Sequence, residues 1–157
     1  MPVATRGVSE LVIEAKDLAA SERFYTEALG LPVVLRWEGE EWARRGREAV
    51  WVQSGEQTRI GLWKPAVGIS GARPGAHVHF ALTVAEEDYD AMVAQIRAHD
   101  VQVEEVYFGD DPKAPGMRSA YMEDPDGHRV EIWTRNIATQ TQAGPPHPVS
   151  AGERDIE

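Results

Sequence analysis

The sequence predicts an α+β fold in which two βαβββ modules form a curved mixed sheet around a cavity. Three observations predict it. The same order of predicted elements occurs twice, the halves share short stretches of similar sequence, and a glycine- and proline-rich segment separates them. The chain has 157 residues, of which 42% are hydrophobic, enough for two half-size modules with a packed core.

The first module is predicted over residues 7–64. Residues 8–14 have the pattern of a strand. A helix follows, with Asp17 as its predicted N-cap and Gly30 as its predicted stop. Three more strands complete the module, at residues 32–38, 49–54 and 58–63.

The second module repeats this order over residues 77–135, after a linker at residues 65–76. The residues after the second module, 136–157, are rich in proline and poor in apolar side chains, so we expect a flexible tail or an arm that wraps a partner. The module's predicted elements are a strand at 77–84, a helix at 86–100 and strands at 101–108, 118–124 and 129–134.

Overlaying the two halves brings particular side chains into correspondence. Residue 10 aligns with residue 77 and residue 60 with residue 130, so the offset grows from 67 to 70. Side chains alternate along a strand, and a pseudo-twofold axis would bring together the first and last strands of both modules. Glu10, His77 and Glu131 would then converge, with Gly61 as an empty fourth position.

Two carboxylates and one imidazole are a plausible ligand set for a divalent ion such as Zn, Fe, Mn, Ni or Mg, with open positions for substrate. Each residue also has a plainer interpretation. Glu131 could pair with Arg59 or Arg129, and Glu10 could be a general base or a carboxylate at a wet rim. His79 shares its face with His77 and could replace it as ligand or act as an acid–base group.

The same strands carry candidates for a substrate pocket. Arg59 and Gly61 share a face with Trp63, and Trp133 shares a face with Glu131. Trp51, Trp63 and Trp133 can line a pocket or fill the core.

Three further positions are expected at the surface. His128 is predicted in an exposed turn and His147 in the solvated tail. The charged run at residues 38–48 is expected to be a solvated loop, or a lid with Trp42 as its apolar tip.

Composition narrows the classes of partner. The net charge is −10, which argues against nucleic acid and favours either a cationic ligand or simply a well-solvated surface. The expected partner is a small molecule. No apolar run reaches the ~20 residues of a membrane helix, and the N-terminus has no apolar signal segment. The absence of cysteine excludes thiolate chemistry and fits a cytoplasmic protein.

Three segments carry a family resemblance: "VIEAKDLAASERFYTEALGLPV", "HVHFAL" and "YMEDPDGHRVEIW", with "DPDGHRVEI" the most specific piece. On these segments, and over residues 7–135, the chain resembles the vicinal oxygen chelate superfamily, which includes glyoxalase I, extradiol dioxygenases, fosfomycin-resistance enzymes and bleomycin-resistance proteins. The resemblance implies the glyoxalase-like fold, while function must be argued from the site, because this fold hosts many chemistries.

Carried over, the family's metal ligands are Glu10, His77 and Glu131, with Glu10 departing from the usual His. Gly61 lacks the fourth, carboxylate ligand of glyoxalase I, so that activity is not expected. The loop at 109–116 does not resemble the potassium-binding loop of fosfomycin thiol transferases, so that activity is not expected either. Tyr121 lies ten residues before Glu131, where the fosfomycin enzymes have a residue facing the substrate.

Two functions remain open at this point. One is a metal-dependent enzyme (a lyase, isomerase or dioxygenase) that acts on a small oxygenated molecule, with Glu10, His79 and Tyr121 as candidate catalytic residues. The other is a metal-free protein that binds a drug or metabolite, in the manner of bleomycin-resistance proteins, by stacking a flat cationic ligand on Trp63 or Trp133. We expect a homodimer in either case.

Overall fold

A computed structural model describes residues 1, 3–65, 76–134 and 146–149. The chain divides into two compact units, Met1–Val78 and His79–Glu157. Each unit combines a mixed β-sheet with helix, so the predicted α+β fold class of two βαβββ modules is confirmed. Among the described residues, no helix is both long and apolar enough to cross a membrane.

Within the described residues, the first unit contains four strands and two short α-helices. Its elements are β1 (Glu10–Glu14), α1 (Leu18–Arg23), β2 (Val33–Trp37), α2 (Glu40–Arg44), β3 (Ala49–Ser54) and β4 (Thr58–Trp63). The strand order is β1-β4-β3-β2, with β1 parallel to β4 and the other pairs antiparallel. The last strand therefore returns to lie beside the first, which places their side chains next to one another.

The first helix begins and ends where the sequence predicts. The Asp17 side chain accepts a hydrogen bond from the backbone N–H of Ala20 at 3.0 Å, as an N-cap does. After α1 the helix widens into a π-helical segment over Phe24–Ala28, and it stops at Gly30, whose φ of 71° favours glycine.

One side of the first sheet is apolar and forms the core of its unit. Ile13, Leu62 and Val50 are paired across β1, β4 and β3, and all three are buried. The helix packs on β3 and β4. Because side chains alternate along each strand, the opposite side of the sheet carries Glu10, Arg59 and the residues in register with them.

The second unit repeats the topology and adds one strand. Its elements are β5 (His79–Thr83), a 3₁₀ turn (Glu86–Asp88), α3 (Tyr89–Arg97), β6 (Glu104–Phe108), β7 (Arg118–Glu123), β8 (Arg129–Trp133) and β9 (Pro146–Pro148). The strand order is β5-β8-β7-β6-β9, again with the first and last strands of the repeat parallel. Both modules thus place the same pair of strands side by side.

Three expectations about loops and tail need correction. The run at 38–48 is not only a loop, because α2 forms within it between Gly39 and Arg45. Within the expected flexible tail 136–157, Pro146–Pro148 pair with β6, whose edge offers unpaired backbone groups, and His147 lies beside Tyr107 with ring centroids 5.3 Å apart.

The expected surface position of His128 is also wrong, because its side chain is buried. Oδ1 of Asp124 accepts hydrogen bonds from the backbone N–H groups of Asp126 and His128, both at 2.9 Å, which closes the turn. Of the predicted linker, residues 66–75 lie outside the described residues, as do 135–145 and 150–157 of the second module's end and the tail.

Candidate metal and ligand site

Glu131 is a charged side chain in the interior of the second module. It lies in the middle of β8, is only 2% exposed, and its neighbours Val130 and Ile132 are buried as well. Its Oε1 has no hydrogen-bond partner among the described residues. A buried carboxylate oxygen without a partner is costly, so this position calls for a proton donor or a cation.

Glu131 has two side-chain partners, His79 and Tyr121, and the hydroxyl of Tyr121 hydrogen-bonds to the carboxylate. Nε2 of His79 lies 3.2 Å from Oε2 of Glu131, within hydrogen-bond distance. The imidazole itself is 52% exposed while the carboxylate is buried, so the pair reaches from the interior of the module to solvent. The two side chains can meet because β5 and β8 are parallel neighbours and Ala81 is the residue paired with Glu131.

The structure gives the two modules a different correspondence from the sequence overlay. Glu10 pairs with Arg59 at the start of β1 and β4, and His79 pairs with Arg129 at the start of β5 and β8. His79 is therefore the counterpart of Glu10, at an offset of 69 rather than 67. His77 precedes β5 and is exposed, and the structure brings His79 rather than His77 to Glu131.

Tyr121 completes this side of the second sheet. It is the residue of β7 paired with Glu131, and its ring centroid lies 5.9 Å from that of His79. Burial raises the pKa of Tyr121, and the negative charge of Glu131 raises it further. The phenol therefore stays protonated at neutral pH and can donate a hydrogen bond.

Arg129 was not predicted as a pocket residue. Its guanidinium lies 4.5 Å from the centroid of the Tyr121 ring, in the same way that Arg59 lies 4.7 Å from the centroid of Trp51 in the first module. The repeat contains the signal for this pair, because Arg59 and Arg129 stand at matching positions two residues before Gly61 and Glu131. Trp133 lies two residues after Glu131 on the same side of β8 and is partly exposed.

His79 and Glu131 fit a divalent ion as two of its ligands. Imidazole nitrogen and carboxylate oxygen suit Zn, Mn, Fe and Ni, and an ion would supply the missing partner of Oε1. In the part of the chain that the structure describes, no group of three His, Cys, Asp or Glu is arranged to hold a metal. Water or substrate oxygens could supply further ligands.

Glu10 is already engaged within its own module. Nε of Arg59 donates a hydrogen bond to Oε1 of Glu10 at 3.0 Å, and the two form an ion pair at the exposed end of the sheet. Arg59 would compete with a metal for this carboxylate. The assignment of Glu10 as a metal ligand or general base stays a prediction.

Gly61 does not leave the empty position that the sequence suggested. Trp51, paired with it on β3, covers its Cα, and a Cβ added to Gly61 would lie 2.6 Å from Cζ3 of the indole. The space of the expected fourth ligand is filled by an aromatic ring that is itself only 2% exposed.

Trp51 belongs to a cluster of four tryptophans in the first module, formed by Trp37, Trp42, Trp51 and Trp63. The ring of Trp37 lies within 5.6 Å, centroid to centroid, of each of the other three. The predicted pocket residues Trp51 and Trp63 are here, whereas Trp37 was missed and Trp42 was expected only as the apolar tip of a possible lid. Strand alternation along β2 could have found Trp37, whereas nothing in the pattern placed Trp42 against it.

The family model described as "Glyoxalase/Bleomycin resistance protein/Dioxygenase superfamily" matches residues 7–132. The chain belongs to this superfamily. The resemblance to vicinal oxygen chelate proteins is thereby confirmed.

Relatives in this superfamily have several functions. Metallothiol transferase FosB of Staphylococcus epidermidis is 24% identical over 132 residues, which cover 84% of this chain and 86% of that protein. The fosfomycin resistance protein FosX of Listeria monocytogenes, solved in complex with Mn(II), has a TM-score of 0.64 at 16% identity and covers 86% of this chain and 97% of that one. TnmS3, an antibiotic binding protein from Streptomyces sp. CB03234, has a TM-score of 0.63 at 21% identity, with 86% and 100% covered.

Proposed function

We propose that the protein is a metal-dependent enzyme that acts on a small oxygenated organic molecule, with His79 and Glu131 as metal ligands. The observation that carries this proposal is the unpartnered Oε1 of Glu131, buried beside an imidazole nitrogen that reaches solvent. A buried carboxylate oxygen without a partner destabilises the fold. A divalent ion would compensate its charge and would also provide a catalytic centre.

Relatives in the family support the choice of a metal over a plain salt bridge. One relative is named as a metallothiol transferase and one structural neighbour was solved with Mn(II). The proposal takes the metal, and not a substrate, from these relatives, because one fold hosts many chemistries.

Each residue near Glu131 has a definite part in the proposed chemistry. A bound divalent ion would act as a Lewis acid toward an oxygen of the substrate. His79, placed against Glu131, serves as a ligand rather than as a general base. Tyr121, held in its protonated form, donates a hydrogen bond to the substrate oxygen that gains negative charge.

Binding of Mn²⁺ to the full chain tests the proposal. Calorimetric titration of the wild type should show about one ion per chain. Glu131→Gln and His79→Ala should each weaken binding by more than about tenfold, since each removes a direct ligand.

Two matched variants serve as controls. Glu123→Gln removes an exposed carboxylate in register with Arg129 on the same side of the sheet, and His77→Ala removes the imidazole that the sequence favoured. Both should bind Mn²⁺ like the wild type. Unchanged binding by Glu131→Gln would refute the proposed site, and a loss confined to His77→Ala would return the ligand role to His77.

A metal-free binding protein is the second candidate function. Nε1 of Trp51 and Nε1 of Trp63 are buried and have no hydrogen-bond partner among the described residues, as in a pocket that awaits an acceptor. A structural neighbour is an antibiotic binding protein. Wild-type protein that binds neither Mn²⁺ nor Zn²⁺, but whose tryptophan fluorescence is quenched by bleomycin, would favour this function over the first.

A further inference from the structure

The tryptophan cluster of the first module has an outer member that is held differently from the rest. Trp37, Trp51 and Trp63 lie on neighbouring strands and meet edge to face or at a tilt. Trp42 instead lies on α2 and stacks flat on Trp37, with an interplanar angle of 5° and ring centroids 4.7 Å apart. It covers Trp37 as a planar guest would.

The helix that carries Trp42 is attached only lightly. It has five residues, all at least partly exposed, which is too short for a helix that is stable by itself. Gly39 before it and Gly46 after it have φ values of 97° and 63°, a conformation in which glycine is favoured. The contact of Trp42 with Trp37 is thus a main anchor of this segment, and the flanking glycines can act as hinges.

Inside the cluster, two hydrogen-bond donors have no acceptor. Trp51 is only 2% exposed, yet its Nε1 has no hydrogen-bond partner among the described residues. The buried Nε1 of Trp63 has none either. Buried indole N–H groups normally find an acceptor, so two without one in the same cluster point to a ligand that brings acceptor oxygens.

We propose that the cluster is a binding site for a flat, neutral, bicyclic aromatic molecule with a carbonyl acceptor, and that Trp42 is a built-in plug that this ligand displaces. Opening pivots α2 about Gly39 and Gly46. The ring of the ligand then takes the place of the Trp42 indole on Trp37, and its carbonyl accepts from Nε1 of Trp51 or Trp63. The site belongs to the first module, rests on the same indole donors as the metal-free binding function proposed above, and does not depend on the proposed metal ligands.

The charges beside the cluster favour a neutral ligand. The guanidinium of Arg59, which lies over Trp51, is paired with Glu10. On α2, Glu41 is paired with Arg45 at 2.7 Å. A charged ligand would have to break one of these pairs or enter the cluster without a counter-charge, whereas a neutral ring loses little hydration.

Coumarin is a suitable probe, because it is a neutral bicycle of about the size of an indole with one carbonyl. The full chain, labelled with ¹⁵N, is titrated with coumarin while the indole N–H signals are followed and assigned with Trp→Phe variants. Binding should shift the signals of Trp51 and Trp63 and leave that of Trp133 in place.

The variant Trp42→Ala makes the decisive measurement. If Trp42 competes with the ligand for Trp37, removing it should tighten coumarin binding by about fivefold, the equivalent of ~1 kcal/mol for a lost aromatic pair. Trp37→Phe should weaken binding, since it shrinks the surface on which the ring stacks. Trp133→Phe is the control and should bind like the wild type.

Several outcomes would overturn the proposal. Unchanged or weaker binding by Trp42→Ala would show that Trp42 does not occupy the ligand's place. Coumarin shifts confined to Trp133, or no binding by any variant, would show that the cluster is packing alone. Should Trp37→Phe fail to fold by its amide spectrum, the comparison of Trp42→Ala with the wild type still decides.

Discussion

Gly61 and Glu131 stand at corresponding places in the last strands of the two repeats, and each is shaped by the aromatic residue paired with it. In the first module Trp51 lies over the missing side chain of Gly61. In the second module Tyr121 takes the position of Trp51 and leaves room for a carboxylate. Two differences at matching positions, Trp51 against Tyr121 and Gly61 against Glu131, thus distinguish the aromatic cluster from the candidate metal site.

A prediction at this scale concerns Gly61→Ala. Its Cβ would lie 2.6 Å from Cζ3 of Trp51, and the buried indole has little freedom to move, so we expect the free energy of unfolding to fall by about 1–3 kcal/mol. Urea denaturation measures it. In a Trp51→Leu background the same change should cost much less, and an equal cost there would show that the ring is not the cause.

The exchange of His77 for His79 shows what sequence could and could not establish for single residues. The overlay placed both histidines on one face of the right strand, because alternation is a local property. Which of them lies beside Glu131 depends on the register between β5 and β8. These two strands are far apart in the chain, and His79 and Glu131 are separated by 52 residues. A two-residue error in the offset does not change the face, so periodicity could not detect it.

At the scale of elements, Arg118 ties the start of the second helical segment to β7. Its guanidinium bonds to Glu86 and Asp90 and stacks 4.3 Å over the ring of Tyr89. Glu86 also accepts a hydrogen bond from the backbone N–H of Gly116 at 2.8 Å, which holds the end of the loop before β7. One carboxylate thus joins a turn, a strand and a loop.

The pH dependence of stability tests this junction. Burial opposes the charged form of Glu86, but hydrogen bonds from the Gly116 N–H, the Thr134 hydroxyl and Arg118 outweigh it together, and the pKa of Glu86 falls below its ordinary 4.5. A lowered pKa stabilises the fold above about pH 4.5, and this stabilisation is lost as the pH falls through the lower, folded value. Glu86→Gln should therefore have a lower Tm than the wild type at pH 7, and the difference in Tm between the two should become smaller near pH 3. A constant difference would contradict it.

Elements were predictable where local patterning determines them. The strands at 49–54 and 58–63 have the predicted bounds, because short apolar runs and the turn between them define them without distant information. The α2 helix and β9 were missed for opposite reasons. A five-residue charged helix has no apolar stripe to reveal it, and Pro146–Pro148 form a strand only because the edge of β6 is there to pair with.

At the scale of the whole molecule, the repeat governs architecture more than chemistry. Both units have the same strand order, with the last strand of the repeat parallel to the first, and the sequence predicted the repeated order of elements behind it. The polar residues at the repeated positions are nevertheless different, with a Glu–Arg ion pair in one unit and a His–Glu pair in the other. The expected homodimer and the cytoplasmic location stay predictions.

Metal-linked stability tests the function on the entire chain. An ion that binds only the folded state adds about 2.7 kcal/mol at one hundred times its Kd, which for a chain of this size raises Tm by roughly 5–10 °C. We expect Mn²⁺ to raise Tm in the wild type and in His77→Ala, but not in Glu131→Gln or His79→Ala, which lack a ligand. Scanning calorimetry with and without Mn²⁺ measures this. The response of Glu10→Gln decides the open ligand: a lost shift would assign Glu10 to the metal, and a full shift would leave it with Arg59. An equal rise in all variants would mean that the ion binds elsewhere.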